Sequence, residues 1–122
     1  MSDDAAIDRA AIDQLLETTG NDPAFVAELI DTYLADSDAL LDTIQQSIDA
    51  ANPEAVRRAA HSLKSNSATF GARSLAAECL ALERQAREGA LDGAAARATE
   101  IAHQFRVVER DLRVLRLELT QQ

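Results

Sequence analysis

One histidine in this chain stands in a setting that could do chemistry. His61 lies in the run Ala59-Ala60-His61-Ser62-Leu63-Lys64-Ser65-Asn66-Ser67-Ala68-Thr69-Phe70-Gly71-Ala72, which reads as a helix that ends or breaks sharply at Gly71. With a helical step of about 100 degrees, Arg57, Arg58, Lys64, Ser65 and Ala68 fall within about 60 degrees of His61. Val56, Ala59, Leu63, Asn66, Ser67 and Phe70 fall on the other side. One face is built to pack, and the opposite face offers an imidazole flanked by cations and floored by small side chains. A free imidazole titrates near about 6.5, so it presents a neutral, nucleophilic nitrogen at neutral pH. Such a nitrogen can take a phosphoryl group and hold it as a phosphoramidate, a high-energy linkage from which the group can be passed on. Lys64, one turn on, is placed to neutralise phosphoryl charge. Ser65 and Ala68 keep the surface low enough for a partner's active site to close over the ring. The bland alternative is an ordinary surface histidine, and His103, with no small floor near it, reads as one.

The rest of the chain must hold His61 out on something stiff. Asn52-Pro53-Glu54 gives the cap, proline and acidic residue that open a helix, and His61 sits about 12 Å along it at 1.5 Å per residue. A first short helix is expected from about Ala5 to Thr18, with Ile7, Ala11, Ile12, Leu15 and Leu16 as its stripe and Gly20-Asn21 as its end. Asp22-Pro23 starts a long helix to about Ala50, in which Ser37 interrupts the apolar pattern and could mark a bend. Gly71 separates the His61 helix from a fourth, about Arg73 to Glu88, with Leu75, Ala76, Cys79, Leu80, Leu82 and Ala86 packed. After the Gly89–Gly93 turn, a fifth runs from about Ala94 to Leu119 on a near-heptad stripe. The expected fold is all-α: an antiparallel up-down-up-down four-helix bundle with a short N-terminal helix capping one end.

The residues His61-Ser62-Leu63-Lys64-Ser65-x-Ser67-x-x-x-Gly71-Ala72 resemble the signature of histidine-containing phosphotransfer (HPt) domains, H-x-L-K-G-x-S-x-x-x-G-A. The likeness runs from about Leu15 to Leu115 and includes the Gly20-Asn21-Asp22-Pro23 turn and the Asn52-Pro53-Glu54 start. Ser65 stands where the family usually has glycine, a small change in volume. The resemblance implies that His61 accepts a phosphoryl group from a response-regulator receiver aspartate and passes it to another receiver. Lys64 would assist, with Arg57, Arg58, Ser65, Ala68 and Arg73 meeting partners. It further implies that Ser67 lies on the inner side and is structural, as Gly71 is expected to be. Receivers and a hybrid histidine kinase are the implied partners. Mg²⁺ is expected on the receiver, so no cofactor or metal is expected here.

Composition agrees with a helical globular domain. The chain has 122 residues, 47% of them apolar, with 3% aromatic residues, few Gly and Pro, and one cysteine. One domain over 1–122 is expected, with residues 1–4 disordered. Cys79 excludes an internal disulfide and suits a reducing compartment. A formal charge of −9 argues against nucleic acid as a partner. The acidic start lacks a secretory signal's apolar run, and no stretch approaches the roughly 20 apolar residues that span a bilayer. A cytoplasmic, free-standing protein is expected, and a monomer, because no apolar stripe is left over once the bundle forms.

Several rival chemistries fail on the residues. No glycine-rich phosphate loop is present, so the chain is not expected to be a kinase by itself. Glu100-x-x-His103 is half of a di-iron motif, but there is no second copy. One cysteine and two distant histidines do not make a zinc site. A phosphatase-like helper would need an acidic or amide side chain beside His61, and none is apparent on its face, Asn66 pointing largely away. The alternative kept open is a non-catalytic helical module that binds a receiver or kinase domain.

Overall fold

The structure, a computed structural model, describes residues 6–121. The expectation for residues 1–4 lies outside this range. The described residues form five helices: α1 (Arg9–Thr18), α2 (Pro23–Asp49), α3 (Pro53–Thr69), α4 (Arg73–Arg87) and α5 (Ala94–Thr120). There is no strand among the described residues. Two starts follow the same chemistry. Asp22 accepts from the Phe25 backbone N–H and Asn52 from that of Ala55, each ahead of a proline in the first turn. That proline gives up only an N–H that no helical carbonyl could have received.

α1 begins later than expected. Ala6 and Ile7 precede the helix, and Asp8 is the N-cap, its carboxylate accepting from the Ala10 N–H. Ile7 is nevertheless buried, so the apolar stripe was read correctly although its first turn is not helical. α2 is assigned as helix without interruption through Ser37. Ser37 is fully buried, and its Oγ has no hydrogen-bond partner. The core absorbs this residue because serine is small, and the single long helix expected from Pro23 is the one observed.

The packing forms a closed ring: α2 lies against α3 and α5, and α4 against α3 and α5. Between α2 and α5, α2 and α3, and α4 and α5, the paired residues rise in number on one helix as they fall on the other. Asp31 and Asp38 of α2 pair with Arg116 and Arg106 of α5. Tyr33 of α2 meets Ser67 of α3, while Leu40 and Thr43 face Ser62 across a shallow groove. Glu78 of α4 pairs with Arg97 of α5, and Leu75 lines a cavity with His103 and Val107. The core draws on every helix, with Ile12, Ile30, Ile44, Leu63, Leu75, Leu82, Ile101, Phe105 and Leu112 almost completely buried. Each such side chain contributes roughly 1.5–3 kcal/mol when removed from water.

α1 lies where α3 ends, α4 begins and α5 ends. Asp8 is ion-paired with Arg73, and Arg9 with Glu118. Gly71, with φ of 72°, turns the chain from α3 into α4 and backs directly onto Asp8. A Cβ at residue 71 would stand 2.7 Å from the Asp8 nitrogen. Not every apolar side chain is covered: Phe25, Val114 and Leu117 are exposed, the last two one turn apart on α5. Among the described residues, no helix is long and apolar enough to cross a membrane.

Candidate functional site

His61 stands midway along α3 with its side chain 54% exposed. Its neighbours on the outer face are small or flexible: Ser65 and Ala68 are exposed, and Arg58 is exposed too. Beneath this face, Ala60, Leu63 and Ser67 are buried against the core. The ring therefore projects from a stiff, fully packed helix.

The ring does not stand alone. Its Nδ1 lies 3.0 Å from Oε2 of Glu83, a residue of α4 that is only 3% exposed. Lys64 Nζ donates to Glu83 Oε1 at 2.7 Å, and Arg87 Nη2 donates to Oε2 at 3.1 Å. One carboxylate thus gathers three side chains from two helices. Burial pushes the Glu83 carboxyl up, but the hydrogen bonds from Lys64 and His61, and their charges, outweigh it and hold the carboxyl below its ordinary range. Glu83 is therefore ionised at neutral pH and can only accept. The proton of the neutral imidazole must then sit on Nδ1, which leaves the lone pair on Nε2. The result is a half-exposed ring with a fixed tautomer and a nucleophilic nitrogen.

Two comparisons match this chain to known proteins. The Hpt domain family model matches residues 28–121. The chain belongs to the Hpt domain family. Its structure is similar to the crystal structure of histidine-containing phosphotransfer protein B (HptB) from Pseudomonas aeruginosa PAO1, with 29% identity and a TM-score of 0.87. The match covers 94% of this chain and 97% of that one. No curated protein matches the sequence.

Within this Hpt domain the residues singled out from the sequence fall into three groups. His61, Lys64, Ser65, Ala68, Arg57 and Arg58 share the outer part of α3, but their partners differ. Arg57 is clamped by both oxygens of Glu54, at 3.0 and 2.6 Å. Arg58 has no ion pair among the described residues. Lys64, expected to neutralise phosphoryl charge, is held by Glu83, because a buried carboxylate draws in the nearest cation. Ser67 is fully buried, and its hydroxyl lies 2.7 Å from the Tyr33 hydroxyl, which ties α3 to α2. Burial pushes the Tyr33 phenol up to about 12, the Ser67 bond opposing, so it stays a neutral hydrogen-bonding group. Cys79 is buried, its thiol likewise raised to about 12 by burial.

Arg73 is not brought to the site. It lies ten residues before Glu83 on α4, about 15 Å away along the axis, and it pairs with Asp8 at the N-cap of α1. The reading that no acidic side chain stands beside His61 is corrected by Glu83, which comes from another helix. That does not help a water-orienting reaction, since the carboxylate is buried and already accepts from three donors. Glu83 and Arg87 were not singled out from the sequence. The signal was there: Glu83 sits four after Cys79 and three before Ala86, at the edge of the apolar stripe of α4, where a carboxylate needs a partner. His103 is exposed, as its surroundings suggested.

Proposed function

We propose that this protein is a phosphorelay intermediate. His61 accepts a phosphoryl group from the aspartate of a response-regulator receiver domain and delivers it to the aspartate of another. The observation that carries this reading is the Nδ1 hydrogen bond to Glu83, which leaves Nε2 unprotonated on an exposed ring. In the forward step the Nε2 lone pair forms the N–P bond while the P–O bond to the donor aspartate breaks, and the aspartate leaves as carboxylate. The Nδ1 proton stays in place, so the ring becomes cationic against Glu83, and no proton has to be carried away. Mg²⁺, on this reading, is held by the receiver and adds to the neutralisation of phosphoryl charge there.

The domain in this proposal spans 1–122, and α2 to α5 run up-down-up-down as an antiparallel four-helix bundle with α1 across one end. The opposed residue pairings between neighbouring helices support that topology. Partner contacts involve Arg57, Arg58, Ser65 and Ala68 around the ring, with receiver domains and a hybrid histidine kinase as the partners. The same face must serve each in turn, so each complex is transient and modest in area. We place the protein in the cytoplasm as a monomer, and the free thiol of Cys79 suits a reducing compartment.

The test is label transfer from a phosphorylated receiver. The expected product is an acid-labile, base-stable phosphate on the wild-type chain and none on His61→Gln. Undiminished labelling of His61→Gln would refute the assignment, and binding without any label would instead favour the non-catalytic interaction module.

A further inference from the structure

Glu83 carries more positive partners than the imidazole alone requires. Lys64 occupies Oε1 at 2.7 Å, while Oε2 receives both His61 Nδ1 at 3.0 Å and Arg87 Nη2 at 3.1 Å. Lys64 reaches the carboxylate from α3 with its side chain 25% exposed, and Arg87 arrives from the last turn of α4 with its side chain 61% exposed. A buried carboxylate stripped of its counter-charge is strongly unfavourable. Until the N–P bond has formed the ring is neutral, so Lys64 cannot leave Glu83 for the incoming phosphoryl group unless another cation stays behind. Arg57 is already clamped by Glu54, and Arg58 makes no bond to Glu83. We infer that Arg87 is the cation that stays: a positioning residue that holds Glu83 while Lys64 passes from the carboxylate to the phosphoryl group on His61. The inference rests on the phosphotransfer reading and deepens it. As the N–P bond forms at Nε2, the bonding pair of the broken bond leaves with the donor, and the Nδ1 proton remains on the ring. Glu83 then faces the ring cation and Arg87, and the flexible stem of Lys64 turns outward to the new negative charge.

The probe is potassium phosphoramidate, which needs no partner protein. Phosphohistidine formation on the full chain is followed by ³¹P NMR, with far-ultraviolet circular dichroism as the check on folding. Arg87→Met is expected to slow formation about tenfold, and Arg87→Lys to restore most of the rate. In the Glu83→Gln chain, where no charge is left to hold, adding Arg87→Met is expected to change nothing. Equal slowing in that background would overturn the inference, since Arg87 would then act on the donor itself. So would an unchanged rate in Arg87→Met alone. Should Arg87→Met fail to fold, Arg87→Gln takes its place in both backgrounds, and the same comparison decides the matter. Absence of phosphohistidine on the wild-type chain would overturn the phosphotransfer reading as well, whereas labelling that ignores Arg87 overturns only this inference.

Discussion

At the scale of single residues, Glu83 decides what His61 can do. A carboxylate that only accepts selects the Nδ1–H form of the ring and turns a two-tautomer imidazole into a one-tautomer nucleophile. Glu83→Gln should therefore leave the helices in place but release this choice, because an amide can either donate or accept. Long-range ¹H–¹⁵N spectra of the ring at pH 8 should show the proton on Nδ1 in the wild-type chain and a mixture of tautomers in Glu83→Gln. A single Nδ1–H form in both would show that Glu83 does not set the tautomer. His61 was legible from the sequence because its own neighbours on α3 mark it: cations and small residues outside, Leu63 and Ser67 inside. For Glu83 the sequence marks only a carboxylate at the edge of the α4 stripe, since its partners depend on the register between α3 and α4, which no spacing within one helix reveals. For the same reason the bond from Lys64 to Glu83 could not be read from the sequence.

At the scale of elements, the helix starts were the most legible features. Asp22-Pro23 and Asn52-Pro53 carry their capping chemistry in adjacent residues. The start of α1 was missed because Ala5 and Ala6 look helical in isolation, whereas Asp8 becomes the cap through its place beside Gly71 and Arg73. Gly71 was read as a stop, but the reason for its type is tertiary. Its positive φ disfavours any side chain, and the Asp8 backbone occupies the space a Cβ would need. Gly71→Ala should cost about 2 kcal/mol or more, with a fall in Tm on the order of 10 °C. It should also loosen α1 before the rest, seen as faster amide exchange over Arg9–Thr18. A Tm within a degree of wild type would show that α1 and the α3–α4 turn yield to each other freely.

At the scale of the whole molecule, an acidic chain is held together by carboxylates that the fold keeps ionised. Asp31 is lowered by its hydrogen bonds from Arg116, Asp8 by the Ala10 N–H and then Arg73, and Glu54 by Arg57. Glu83 is lowered despite its burial. A carboxyl whose folded pKa lies below its unfolded one contributes stability that is present above the unfolded value and lost as pH falls through the folded value. The urea midpoint should therefore be level near neutrality and fall once pH drops below about 4.5, the ordinary value for Glu. The fall should be smaller in Glu83→Gln, which has one carboxyl fewer to protonate. An identical acid profile for both chains would remove Glu83 from the groups that govern it. Among the exposed pairs, those between α2 and α5 should weaken with added salt, as surface ion pairs do.

The buried carboxylate between α3 and α4 also works as a registration pin. Sliding either helix past the other by one turn, about 5.4 Å, would part it from the lysine and the imidazole together and leave it only the arginine of its own helix. Apolar stripes made largely of alanine and leucine tolerate such slippage far better than a charge does. One acidic side chain thus turns a smooth interface, open to several alignments, into one with a single seat.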